Sequence, residues 1–238
     1  MAIQTFTAVV SRVRTMTHDV RDLDLTLVEP KAIQFKPGQF VSFQVPKAGV
    51  PAPVTRPYSI VSAPSQTDRI TLLLNLVPGG PGSTYLFSLK EGDRTTFKGP
   101  AGSFHLRDDS GRDLLFVATG TGIAPIQSMI AAQMERRSTQ TVTLFWGLRS
   151  QRDLYYQDEL AELARSHPRF SFTTTLSRPE PGWTGVAGRV TTLVKEKVHS
   201  VTNLAAYLCG NGGMIREVTA ILQGVGLFPI YREKYYDG

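Results

Sequence analysis

Two hydrophobic periods divide the chain. In the first 104 residues short apolar–polar runs are each closed by glycine or proline. Thr5 to Val13 is rich in β-branched residues, and Asp22 to Val28 alternates polar with apolar. Phe40 to Val45 and Arg56 to Ser62 follow, and Arg69 to Val77 ends at Pro78-Gly79-Gly80-Pro81-Gly82. Many short strands punctuated in this way predict a small antiparallel β-barrel. From Leu114 the period lengthens. Apolar strands at Leu114–Ala118, Val142–Trp146, Phe170–Leu176, Ala205–Cys209 and near Ile230 alternate with amphipathic segments at Tyr155–Arg165, Val190–Val198 and Met214–Leu222. This alternation predicts an α/β domain with a five-stranded parallel sheet. The polar stretch Arg107–Asp113 has no period and marks the boundary between domains 1–106 and 107–238.

The stretch from Leu114 to Met134 organises the second domain. Leu114-Leu115-Phe116-Val117-Ala118 is apolar throughout, as a strand buried on both faces must be. Thr119-Gly120-Thr121-Gly122 turns the chain. Pro125 suits a first helical turn, and Ile126, Met129, Ile130 and Met134 form one apolar helix face. Glycines at 120 and 122 let a ligand approach the backbone, and the helix start favours an anion such as a pyrophosphate. Gly-Thr-Gly-Ile-Ala-Pro departs from the G-x-G-x-x-G/A dinucleotide fingerprint at Pro125, which points to another nucleotide-binding fold. A second helix start is predicted at Ser83, running to Leu89, with Ser83 either a simple cap or part of a phosphate site. Two such starts suggest two nucleotides.

Charge and composition narrow the classes. The net charge is +6, which favours an acidic or phosphorylated partner, and the dispersed Lys and Arg argue against nucleic acid. The one cysteine, Cys209, excludes a disulfide framework or a four-cysteine cluster within these residues. No secretory pattern follows Met1 and no apolar run reaches membrane-span length, so a cytoplasmic protein is expected, acting as a monomer away from the membrane. The four histidines are dispersed; neither a metal site nor a nucleophilic triad is predicted.

In Arg56-Pro57-Tyr58-Ser59, Arg56 and Tyr58 share one strand face. The arginine suits a phosphate and the tyrosine a flat heterocycle, although an ordinary strand with a surface arginine would read the same. In the second domain Arg149, Ser177-Arg178 and Arg189 put basic side chains where a 2′-phosphate would sit, favouring NADP over NAD. Cys209 is either a small buried residue or a functional one at a strand end.

Arg56-Pro57-Tyr58-Ser59, Gly82-Ser83-Thr84, Gly120-Thr121-Gly122-Ile123-Ala124-Pro125 and Cys209-Gly210-Asn211, in that order and spacing, resemble the ferredoxin–NADP reductase family. The resemblance implies a barrel that binds FAD and an α/β domain that binds NADP(H). Arg56 would pair with the flavin diphosphate, Tyr58 stack on the isoalloxazine and Ser59 bond near flavin N5. Leu73, Leu74, Asn75 and Leu76 would line the flavin, while Gly82, Ser83 and Thr84 hold its diphosphate. Gly120, Thr121 and Gly122 would take the NADP pyrophosphate, and Arg149, Ser177, Arg178 and Arg189 the 2′-phosphate. Cys209 and Gly210 would lie beside the nicotinamide, making Tyr58, Ser59 and Cys209 the catalytic set. Tyr235 or Tyr236 would supply the terminal aromatic, although here Asp237-Gly238 follow it. The implied activity is hydride exchange between NADPH and FAD, with single electrons passing to a small acidic redox protein, a ferredoxin or flavodoxin. Alternatives are the NADH-dependent reductase of a multicomponent oxygenase and a non-catalytic nucleotide-binding docking subunit.

Overall fold

The computed structural model describes residues 3–108, 111–227 and 229–236. Asp109 and Ser110 of the predicted boundary lie outside the described residues, as do Met1, Asp237 and Gly238. The chain divides into two compact units. One runs to Leu106 and takes in Gln127–Ala132; the other holds Arg107–Ile126 and everything from Gln133 onward. Among the described residues no helix is long and apolar enough to cross a membrane.

The first unit is built from β1 (Gln4–Thr15), β2 (Val20–Glu29), β3 (Phe40–Lys47), β4 (Val50–Ser59), β5 (Arg69–Asn75), α1 (Pro81–Ser88) and β6 (Arg94–Ala101). The strands pair antiparallel in the order β4-β3-β6-β1-β2-β5. Just past β4, Ile60 bridges to Leu72 of β5, and the Val61 amide donates to the Thr71 carbonyl at 2.8 Å. These bonds join the two ends of the sheet and close the predicted barrel. Its interior is aromatic: Phe97 lies 5.3 Å from Phe6 and 5.7 Å from Phe43, centroid to centroid. β6 is a strand that the pattern did not predict. Its alternating buried positions are Thr95, Phe97 and Gly99, so one large apolar side chain carries the whole period.

The second unit contains β7 (Asp113–Thr119), the two ends of α2 (Ile123–Glu135), β8 (Val142–Leu148), α3 (Gln157–Ser166), β9 (Phe170–Leu176), β10 (Val186–Ala187), α4 (Val190–Lys197), β11 (Leu204–Asn211), α5 (Gly212–Gly224) and β12 (Ile230–Tyr236). The sheet is parallel throughout, in the order β10-β9-β8-β7-β11-β12. It has six strands, not the predicted five; the sixth, β10, is two residues long and too short to show any period. Leu115, Val117, Ala206 and Leu208 pack with Leu193, Val218 and Leu222 of α4 and α5. The chain runs outward from β7 through β8 to β10, then returns to place β11 on β7's other side. The carboxyl ends of β7 and β11 therefore flank the switch point at which such sheets bind ligands.

Candidate functional site

In the first unit the site grows from β4 and the start of α1. Helix α1 begins at Pro81 with Gly80 as its N-cap, two residues before the predicted start. Proline at N1 sets the helical φ and lacks only an amide that would be unpaired there. Ser83 is therefore inside the helix, and its buried hydroxyl braces the turn. It accepts the Val77 amide (3.1 Å) and donates to the Gly80 carbonyl (3.1 Å). Gly82 faces β4 so closely that a Cβ there would lie 2.6 Å from the Tyr58 hydroxyl and 2.9 Å from Cβ and Cγ of Arg56. Arg56, Tyr58 and the free amides of the α1 start thus converge. Among the described residues the Arg56 guanidinium pairs with no carboxylate; Nη1 donates to its neighbour Thr55's carbonyl (2.9 Å). Tyr58 packs edge-on to Phe43 at 5.9 Å. Burial pushes its hydroxyl up to about 12, against the downward pull of Arg56, so the phenol stays protonated. Ser59 is buried at the end of β4.

The segment predicted to line a flavin splits by strand alternation. Leu74 points into the barrel core, while Leu73 is buried outside that cluster. Asn75 turns its amide to the Asp19 carboxylate (3.0 Å). Leu76 is exposed and so is Val77, which the sequence reading left out; with the exposed Thr84 they stand beside the α1 start.

In the second unit the ends of β7 and β11 interlock. A Cβ on Gly122 would lie 2.5 Å from the Cys209 carbonyl oxygen and 2.7 Å from Gly210 Cα; a Cβ on Gly210 would lie 2.3 Å from Thr119 Oγ1. The Asn211 amide donates to that same Oγ1 (2.9 Å). The glycine at 122 is thus demanded by packing between strand ends, not by a ligand's approach. Gly120, at φ +52°, is the open one: among the described residues its Cβ would meet only the Tyr236 hydroxyl, at 3.8 Å. A three-residue 3-10 turn, Gly120–Gly122, leads into α2 and leaves amides at its start without intrahelical acceptors.

Cys209 has no exposed surface. Burial pushes its thiol well up, the neighbouring Glu233 adds to the rise, and a hydrogen bond from Tyr235 opposes it. The sulfur is neutral and enclosed, which argues against nucleophilic attack. Glu233 stands opposite Cys209 in the β11–β12 register. Its Oε2 is buried with no hydrogen-bond partner among the described residues, and burial raises its carboxyl to about 7. An orphaned carboxylate oxygen at a switch point marks a polar group that a ligand would satisfy. The sequence reading missed Glu233. Its signal was the alternation Tyr231, Glu233, Tyr235 on one face of the last strand. The two tyrosines are also separated: Tyr235 bonds Cys209, and Tyr236 stands by Gly120.

The predicted basic residues gather at neighbouring strand ends. Arg149 follows β8, Ser177 and Arg178 follow β9, and Arg189 is the N-cap of α4 just beyond β10. The Ser177 amide donates to the Leu148 carbonyl (3.0 Å) and the Arg178 amide to the Arg149 carbonyl (2.7 Å), tying the two loops side by side. All three arginines are exposed, and none forms an ion pair among the described residues.

Two family models match the chain: an oxidoreductase FAD-binding domain over residues 7–106 and an oxidoreductase NAD-binding domain over residues 116–220. The chain is 35% identical over 225 residues to ferredoxin–NADP reductase B of Sorangium cellulosum, a match covering 92% of this chain and 91% of that one. It is 34% identical to the reductase component of phenol 2-monooxygenase from a Pseudomonas species, covering 98% of this chain and 66% of the relative. Among solved structures, the Amycolatopsis cytochrome P450 reductase GcoB superposes with a TM-score of 0.88 at 30% identity, covering 99% of this chain and 71% of that one.

Proposed function

The chain belongs to the ferredoxin–NADP reductase family of FAD- and NAD(P)-binding oxidoreductases, and we propose that within it this protein is an NADPH-dependent reductase of a small ferredoxin or flavodoxin. It is an FAD-dependent oxidoreductase. The residues present suit both cofactors: an uncompensated Arg56 beside a helix start for a diphosphate, and an orphaned Glu233 oxygen for a nicotinamide amide. Bound FAD supplies the exchange of hydride equivalents for single electrons.

The chain's own residues hold and orient. Arg56 and the α1 amides bind the flavin diphosphate, Tyr58 offers a neutral ring for stacking, and Leu76 and Val77 cover apolar flavin surface. Ser59 bonds the flavin ring. The Thr121 amide and its neighbours take the dinucleotide pyrophosphate. Cys209 and Glu233 hold the nicotinamide end, which makes Glu233 an addition to the catalytic set of Tyr58, Ser59 and Cys209. The division into a domain of residues 1–106 and one of 107–238 belongs to this reading.

Preference for NADPH rests on one observation: Arg149, Arg178 and Arg189 follow neighbouring strands and form no ion pair among the described residues. Unpaired guanidinium groups at neighbouring strand ends suit a phosphate dianion and have no counterpart on an NADH ribose diol. The net charge of +6 supports an acidic protein acceptor, a monomeric enzyme and steering through the solvent. Supply of NADPH inside the cell makes the cytoplasm the compartment of this reading.

Stopped-flow reduction of the bound flavin by NADPH and by NADH, followed by ferredoxins, flavodoxins and small quinones as acceptors, tests it. Faster reduction by NADPH is expected, with ferredoxin reduction falling steeply as salt shortens the Debye length below about 10 Å. Fast quinone reduction beside slow reaction with every protein acceptor overturns it. The likeness to the phenol 2-monooxygenase reductase favours a second reading, the reductase of an oxygenase. NADH preference with electron delivery to an oxygenase component would select that reading.

A further inference from the structure

The geometry points to Trp146 as the positioning residue that aims the Gly120–Thr121 peptide at the dinucleotide pyrophosphate. Trp146 stands on β8 beside Ala118 of β7 in the parallel register. Its indole is fully buried, and Nε1–H donates to the Gly120 carbonyl at 3.0 Å. The Ile123 amide donates to the same carbonyl. Because a trans peptide is planar, its C=O and N–H point in opposite directions. Fixing the Gly120 carbonyl toward Trp146 and Ile123 therefore turns the Thr121 N–H the other way.

Without the indole, the carbonyl keeps only the Ile123 amide, which it shares with the Thr121 carbonyl, and the peptide is held less firmly. Gly120 sits at φ +52°, and glycine visits both signs of φ at little cost. A rotated plane would present a carbonyl oxygen, and so a repulsive dipole, to an anion. Trp146 itself has no such freedom. It meets Tyr155 edge to face at 4.8 Å, and Tyr155 meets Tyr156 at 5.3 Å. From the other side the Asn211 amide holds Thr119 Oγ1 at 2.9 Å. The turn is thus clamped from both neighbouring strands, and Trp146 is the clamp that acts on the ligand-facing peptide. This inference rests on the reading of the Gly120–Gly122 turn as the pyrophosphate site.

The test removes the donor and keeps the shape. The chain has two tryptophans, Trp146 and Trp183. In a Trp183→Phe background, biosynthetic replacement of tryptophan by benzothienylalanine puts sulfur where only the Trp146 N–H stood; Trp146→Phe is a second, cruder variant. Calorimetry on the FAD-loaded proteins measures the better bound of NADP+ and NAD+, and beside it the matching fragment without a pyrophosphate, 2′-AMP or adenosine. Loss of one neutral hydrogen bond should weaken the dinucleotide roughly 2–10-fold. The fragment's affinity and the FAD content should be unchanged. An unaltered dinucleotide affinity in the benzothienyl protein, or an equal loss for dinucleotide and fragment, overturns the positioning role. If the unsubstituted protein binds neither dinucleotide, the pyrophosphate reading fails and takes this inference with it. If it binds the dinucleotide no better than the fragment, the turn makes no pyrophosphate contact, and the inference falls while the family reading stands.

Discussion

Each unit brings glycine up against a neighbour at its candidate site, and the neighbours differ in kind. In the barrel, Gly82 is required by side chains: the Tyr58 hydroxyl and the first carbons of Arg56. In the α/β unit, Gly122 is required by backbone, the Cys209 carbonyl and the Gly210 Cα. The Tyr58 hydroxyl and Arg56 Cγ can turn away from an added methyl group, leaving only the Arg56 Cβ to shift with its strand, whereas two paired strand ends cannot separate without breaking the sheet. The barrel site is an assembly of side chains on a closed wall. The α/β site is a backbone interlock at a switch point, with charged side chains added around its rim.

The largest effect expected from that difference is at Gly122. Gly122→Ala should destabilise the second unit by about 3 kcal/mol or more, seen as a lower thermal midpoint or a lower urea midpoint. A variant as stable as the parent would remove the interlock from the description.

Next come the charges, which should act separately. Arg149→Ala should weaken NADPH about tenfold and leave NADH nearly unchanged, since a charge-assisted bond contributes roughly 1.5–3 kcal/mol. Arg56→Ala should lower the FAD content of purified protein instead. Equal loss of NADPH and NADH in Arg149→Ala would show that no 2′-phosphate is held there.

Two half-buried titratable groups sharpen the contrast through pH. Glu233 is raised from an ordinary value of 4.5 to about 7, so the folded chain holds its proton more tightly than the unfolded one. Its contribution is fully present below pH 4.5 and is lost as pH rises to 7, so stability falls across that window. Glu233→Gln should flatten this part of a urea-midpoint curve. Tyr58, pushed up to about 12, remains neutral throughout, and Tyr58→Phe should leave the same curve's shape alone. A curve for Glu233→Gln parallel to that of the parent would place the titration elsewhere.

The smallest effect is at Gly82. Gly82→Ala should cost about 1 kcal/mol of stability, because the Tyr58 hydroxyl and Arg56 Cγ can turn away and only the Arg56 Cβ, at 2.9 Å, must shift with its strand. Its mark should be weaker FAD retention from their displacement, read by dialysis and flavin absorbance. Destabilisation matching that of Gly122→Ala would erase the distinction between the two sites.

The sequence by itself determined the elements whose burial repeats. Leu114–Ala118 and Leu144–Trp146 are apolar because both faces of a parallel sheet are covered, and that alone marks them as strands. The barrel's alternation and its glycine and proline breaks were legible for the same reason, as were Arg56, Tyr58 and the arginines after β8 and β9. Tertiary structure decided the rest. β6 hides its period behind Thr95 and Gly99, and β10 is too short to have one. That Gly122 serves packing, that Glu233 faces Cys209 and that Trp146 reaches Gly120 are matters of which strand lies beside which. Hydrophobic burial writes a period along one chain segment, but a contact between segments depends on the register in which two of them meet, and no single segment carries that register.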